Sequence, residues 1–238
     1  MNFLSGQVLA FDKPFGMTSF QLVARVRWLL TRAMEGKKIK VGHAGTLDPL
    51  ATGLMVICTG RATKRIEELQ AGEKEYLATL RLGATTPSFD LEHPIDATFP
   101  TDHLSEASIR SALRAFEGDL MQTPPAFSAC KIEGKRAYEL ARHQGAQNVV
   151  LKPKPIHISR LELLRCNLSE NEVDLLIVCS KGTYIRALAR DIGLALRCGA
   201  HLTALRRTRV GDFHVSDAYS LEAFEKWLSR IPVETALP

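Results

Sequence analysis

The sequence predicts an α+β fold. Strand-forming and helix-forming segments are intermixed along 238 residues without the regular β-α-β alternation of a doubly wound sheet. Hydrophobic residues make up 45% and charged residues 24% of the chain, which suits one sizeable packed core and sets aside disorder, collagen and coiled coil.

The elements follow in order. A first strand is expected over 8–11. Thr18 with Gln21 makes a capping box, and the helix it opens carries an apolar stripe of Leu22, Val26, Leu29 and Leu30. The run 54–58 reads as a strand, and so does 76–82, where Tyr76, Ala78, Leu80 and Leu82 share one face by period two. Ser105 caps a helix with Ile109, Leu113 and Phe116 inward and Gly118 ending it. A short helix is expected over 137–142. Strands follow over 156–164 and 173–179, the second apolar enough to be buried on both faces. The helix 184–198 lines up Ile185, Leu188, Ile192 and Leu196, and Gly199 stops it. A short strand over 208–215 and a last helix, capped by Ser220 and carrying Phe224 and Leu228, close the chain.

Several function classes fall away. No apolar run approaches the roughly 18 residues of a membrane span, and Met1-Asn2-Phe3-Leu4-Ser5-Gly6 is no signal peptide, so no membrane association is expected. Cys58, Cys130, Cys166, Cys179 and Cys198 form no CxxC pair and read as core thiols of a cytoplasmic protein. There is no P-loop, no GxGxxG after a strand, no HExxH and no GxSxG. Cys198 and His201 make a lone CxxH half-site, which reads as structural, so no metal is expected. The Pro- and acid-rich loops 88–102 and 152–155 are too short to mark a boundary, so 1–238 reads as a single domain.

A formal charge of +5 is compatible with a polyanionic partner. Basic residues gather at Arg32, Lys37, Lys38 and Lys40, at Arg61, Lys64 and Arg65, and at Arg206, Arg207 and Arg209. Each run alone reads as a solvated face; together they suggest a track for an RNA backbone.

The densest unusual stretch is Gly42-His43-Ala44-Gly45-Thr46-Leu47-Asp48-Pro49-Leu50-Ala51-Thr52-Gly53. Glycines admit close backbone approach, and Pro49 biases Asp48 toward an extended conformation. On spacing alone, Asp48 reads as a turn aspartate capping backbone N–H groups.

This stretch resembles the GHxGxLDPxAxGxL motif of TruB-type tRNA pseudouridine synthases. Five further motifs resemble that family, in family order: Asp12-Lys13-Pro14-Phe15-Gly16-Met17-Thr18-Ser19; Lys74-Glu75-Tyr76 with Leu82-Gly83; Pro124 to Lys131 with Gly134 and Arg136-Ala137-Tyr138-Glu139; Cys179 to Arg186 with Asp191-Ile192-Gly193; and Gly199 to Leu202 with Leu205-Arg206-Arg207.

The resemblance implies the pseudouridine-synthase form of the α+β class, a mixed, largely antiparallel sheet flanked by helices around a central cleft. It implies an isomerase that converts uridine 55 in the T-arm loop of tRNA to pseudouridine without a cofactor; a monomer is expected. Asp48 matches the family's catalytic aspartate. Arg186 matches the arginine that pairs with it, keeping the carboxylate ionised in a dry site. Tyr76 matches the tyrosine that stacks on the target base. His43 matches the histidine that fills the space left in the RNA. Tyr184 and Leu205 match residues lining the base pocket. Lys13 and Pro14 are expected to support the catalytic loop, and Lys131 and Arg136 could contact phosphate. Two departures stand out. No PUA-type domain is expected before Pro238, and Thr86, Ser88 and Asp90 keep a motif spacing whose glycine-bearing turn is replaced by Leu91-Glu92-His93. The competing expectation is a chaperone that binds the T-arm without chemistry.

Overall fold

The structure, a computed structural model, describes residues 1–234 apart from Ala129, Glu133, Ala146 and Gln147. In chain order the strands and helices are β1 (Val8–Lys13), α1 (Ser19–Ala33), β2 (Val41–His43), β3 (Thr52–Thr59), α2 (Ile66–Ala71), β4 (Lys74–Leu82), β5 (Ala84–Thr85), β6 (Ala97–Thr98), α3 (Glu106–Arg114), β7 (Gly118–Gln122), β8 (Lys131–Ile132), β9 (Lys135–Arg136), α4 (Ala137–Gln144), β10 (Lys154–Asn167), β11 (Glu172–Cys179), α5 (Ile185–Ala195), β12 (Ala200–Val210), β13 (Phe213–His214) and α6 (Leu221–Leu228). A 3-10 turn over Gly60–Arg65 leads into α2. The chain divides into two compact units, Met1–Glu75 with Arg206–Pro238, and Tyr76–Leu205. The divisions fall inside β4 and β12, not in the loops that composition had singled out.

In the first unit, β3 is the central strand. β1 runs antiparallel to it from Val8↔Cys58 to Lys13↔Gly53, and β2 is antiparallel at Val41↔Thr59 to His43↔Ile57. β12 joins in parallel at Arg206↔Thr52 and Arg207↔Gly53. Leu54 through Cys58 are fully buried, so both faces of β3 are covered there. Thr18 caps α1 with Gln21 completing the box, and Leu22, Val26, Leu29 and Leu30 face inward, all as the sequence predicts. Ser220 caps α6. Phe224 of that helix packs 4.9 Å from Phe11 and 5.6 Å from Trp227, tying the C-terminal segment to β1. Aromatic pairs of this kind stabilise by about 0.5–1.5 kcal/mol beyond their buried area.

In the second unit, β4 and β11 are neighbours, and β10 is antiparallel to both β11 and β7. The expected alternation of β4 holds, with Tyr76, Ala78, Leu80 and Leu82 buried. Three expectations need correction. β11 is buried on both faces only over Ile177 to Cys179; Asp174 and Leu176 are half-buried, since that end has one open face. The helix expected over 184–198 is regular only over Ile185–Ala195, and β12 already begins at Ala200, so the short strand expected over 208–215 is the end of a longer one plus β13. α3 ends at Arg114, with Phe116 half-buried; Gly118, at φ +90°, opens β7.

Candidate active site

Asp48 lies in the loop between β2 and β3, half-buried. Its neighbours are anchored through their main chains. The Arg207 guanidinium is 1% exposed and donates from Nε to the Leu54 carbonyl (2.7 Å), from Nη2 to the Gly45 carbonyl (3.1 Å) and from Nη1 to the Thr46 carbonyl (3.5 Å). Ser19, at the first turn of α1, closes a reciprocal pair with Leu47: its hydroxyl donates to the Leu47 carbonyl (2.8 Å) and accepts the Leu47 N–H (2.9 Å). The Pro49 carbonyl accepts from the Gly16 N–H (2.9 Å) and from Lys13 Nζ (3.3 Å). The carbonyl of Asp48 itself accepts from the Ala51 N–H (3.1 Å).

Lys13 is fully buried, and its ammonium also donates to the carbonyls of Met17 (2.7 Å) and Pro14 (3.0 Å). Three acceptors match the three donors of an ammonium. Burial pushes its pKa down to about 8; the Asp48 carboxylate pulls it back up and Arg207 opposes that. Lys13 therefore supports the loop, as expected, and also supplies positive charge felt by Asp48. Gly53 makes this arrangement possible. It sits at φ +103°, and a Cβ there would stand 2.2 Å from the Arg207 carbonyl oxygen, so a side chain would block the pairing of β3 with β12.

His43, on β2, is half-buried, and its Nδ1 has no hydrogen-bond partner among the described residues. Burial, aided by the charge of Arg207, holds the imidazole below its ordinary pKa, so it is neutral near pH 7.

The second unit carries the remaining residues. Arg186, in the first turn of α5, is 5% exposed. Its Nη2 donates to the Phe127 carbonyl (2.9 Å) and its Nη1 to the Ser88 carbonyl (3.2 Å), while Nε lies 3.7 Å from the Asp90 carboxylate. Arg186 is thus a placed, desolvated cation and not a solvated helix arginine. Asp90 entered the sequence reading only through its motif spacing; its place beside Arg186 needed the fold. Tyr184 is the N-cap of α5, and Gln122 clamps its main chain, accepting its N–H (2.9 Å) and donating to its carbonyl (3.1 Å). The Tyr184 hydroxyl lies 3.2 Å from Cys130 Sγ, and burial pushes the phenol well above its ordinary pKa, so it stays protonated. Tyr76 is 8% exposed, and Leu205, on β12, is half-buried.

The description "TruB family pseudouridylate synthase (N terminal domain)" matches residues 32–185, and "tRNA pseudouridylate synthase B C-terminal domain" matches 186–237. The chain belongs to the TruB family. A relative named tRNA pseudouridine synthase B from Phocaeicola vulgatus is 59% identical over 100% of this chain and 99% of its own length. One of the same name from Flavobacterium johnsoniae is 49% identical over 95% of this chain and 97% of its own. Among solved structures, the "Crystal Structure of a Cbf5-Nop10-Gar1 Complex" matches with a TM-score of 0.70 and 28% identity. The match covers 94% of this chain and 55% of that one, so this chain spans about half the length of that solved chain.

Two features of this TruB-family chain depart from the sequence reading. Arg207 was assigned to a surface run facing RNA; it is inside, holding carbonyls, and Arg206 beside it pairs with Asp12 (2.7 Å). In the second basic run Arg65 pairs with Glu68 (3.0 Å), and Arg61, Lys64 and Arg65 are all exposed. The half-site reading of His201 as structural is supported: its Nδ1 lies 3.0 Å from the Ala84 carbonyl oxygen.

Proposed function

We propose that this chain isomerises uridine 55 in the T-arm loop of tRNA to pseudouridine, with Asp48 as the catalytic carboxylate. The C1′–N1 bond of the uridine breaks, the uracil turns, a C1′–C5 bond forms, and the proton leaving C5 is balanced by one gained at N1. Nothing is oxidised or reduced, so the chemistry requires no cofactor. Tyr76 contacts the target base, Arg186 pairs with Asp48, Tyr184 and Leu205 line the base pocket, and His43 fills the space vacated in the RNA. The catalytic module works as a cytoplasmic monomer; five free cysteines suit a reducing compartment.

The observation that carries this reading is the anchoring of residues 45, 46, 47 and 49 around Asp48 by Arg207, Ser19, Lys13 and Gly16. Preorganisation of this kind is what a catalytic group needs and an ordinary turn does not. In the second unit, the buried hydroxyls of Ser88 and Thr183 lack partners among the described residues, which suits a site completed by a polar ligand.

The test is Asp48→Asn on unmodified tRNA transcript. Wild type forms pseudouridine, and the variant binds the transcript with unchanged affinity and forms none. Full-rate modification by the variant overturns the assignment of Asp48. Binding without modification by wild type favours the chaperone.

A further inference from the structure

We propose that the second unit holds a further binding site, for the aromatic base and phosphate of a nucleotide, in the cavity behind the loop that grips Arg186. This cavity of about 400 Å³ lies between residues 85–99 and the C-terminal half of α5. Its size falls in the range of about 300–1,000 Å³ typical of small-molecule sites. Pro87, Phe89, Phe99 and Leu194 supply apolar walls, with Gly193 and Gly199 between them. Gly199 is at φ +62°, and a Cβ there would stand 2.8 Å from the Phe99 ring carbons, so the absence of a side chain lets that ring lie against the main chain.

The polar groups of the lining have a pattern. Phe89 sits at φ +60°, a left-handed conformation that disfavours an aromatic residue. Two hydrogen bonds hold it there, from the Leu202 N–H to its carbonyl (2.9 Å) and from its own N–H to the Thr86 carbonyl (3.1 Å). The Arg190 guanidinium stands 5.3 Å from the centre of the Phe89 ring, fixed by Asp191 (2.8 Å) and the Thr123 carbonyl (2.9 Å). The acid in the lining, Asp96, accepts from the Thr85 hydroxyl (2.6 Å). Arg197 is exposed and makes no ion pair among the described residues. Aromatic rings and guanidinium planes stack on the faces of nucleobases, and an unpaired arginine suits a phosphate.

The same segment serves both sites. Ser88 and Asp90 contact Arg186 at 3.2 and 3.7 Å, while Thr86, Pro87 and Phe89 line the cavity. α5 carries Arg186 in its first turn and Gly193 and Leu194 near its end. An occupant that presses on Pro87 and Phe89 therefore acts on the groups holding Arg186. The nucleotide is either a residue of bound tRNA, a version that rests on the function proposed above, or a free mononucleotide.

Calorimetric titration of the full chain with UMP and AMP, together with kinetics on tRNA transcript, tests the proposal in wild type, Leu194→Glu and Arg197→Gly. Leu194 is 66% exposed, and glycine suits the φ of +54° at position 197, so both variants keep the fold. Saturable mononucleotide binding that weakens roughly tenfold in each variant, with the KM for tRNA unchanged, supports a free nucleotide. A several-fold higher KM in both variants, with little binding of mononucleotides to wild type, supports a nucleotide of the RNA. Mononucleotide binding equal in all three proteins, or none together with an unchanged KM, overturns the proposal. So does an apolar dye that binds the cavity and that no nucleotide displaces. The titration stands whether or not wild type forms pseudouridine, so failure of the functional reading remains distinguishable.

Discussion

Asp48 is placed through its neighbours, whereas Arg186 is placed through its own side chain. Around Asp48, buried cations and a hydroxyl grip the main chain of residues 45, 46, 47 and 49. Around Arg186, two carbonyls and Asp90 grip the guanidinium directly. The first arrangement fixes the Cα of a short side chain. The second spends the long side chain's donors on position and charge. The two regions should therefore fail differently. Damage around Asp48 should appear first as lost loop order, and damage at Arg186 first as lost chemistry.

Arg186→Lys is expected to give the largest effect. A lysine keeps the charge but cannot reach two carbonyls and a carboxylate in one plane, so kcat should fall on the order of a hundredfold, beyond whatever stability the lost hydrogen bonds cost. A near-normal kcat breaks the contrast. Arg207→Met should do the reverse. It removes the Arg207 donor from three carbonyls, one of them buried, costs about 3 kcal/mol of stability by denaturant melts, and lowers kcat through the loop.

How far these residues were legible in the sequence depends on the range of the forces that place them. The capping box of α1, the Ser220 cap of α6, the apolar stripes of both helices and the alternation of β4 are local, and local reading found them. Asp48, Arg186 and Tyr76 surfaced because they stand in dense motifs. Lys13 was rightly read as a support for the loop. Arg207 was misread because Arg206-Arg207 looks like any basic run, and only the parallel pairing of β12 with β3 at Gly53 turns it inward. Asp90 and Ser19 act on residues far away in sequence, at position 186 and at position 47, which no local pattern reports. The division inside β4 and β12 was equally invisible, because linkers are read from composition and strands have none of that signal.

Lys13 sharpens the comparison through pH. Its folded pKa of about 8 lies below the ordinary 10.5. From about 8 to 10.5 the unfolded chain holds a proton that the folded chain has released, so this group's contribution to stability rises with pH while the loop loses a donor. Activity should therefore decline above about pH 8 without a matching fall in melting temperature from this group. Lys13→Met should lack that limb, and an identical limb in the variant would reassign it.

Ser19→Ala removes the reciprocal pair with Leu47 and should cost about 1–2 kcal/mol, with kcat falling and KM unchanged. Thr18→Ala, one residue away, removes only the cap of α1. It should cost about 1 kcal/mol and leave kcat unchanged, separating a helix-stability effect from a loop-positioning effect.

The account rests on a cofactor-free isomerisation at one uridine of tRNA. Transcript carrying tritium at uracil C5, incubated with wild-type chain in buffer with chelator, tests it directly. One equivalent of tritium should be released per tRNA, with pseudouridine mapped to position 55 alone. Absence of release from tRNA that is demonstrably bound, or release spread over several uridines, would contradict it.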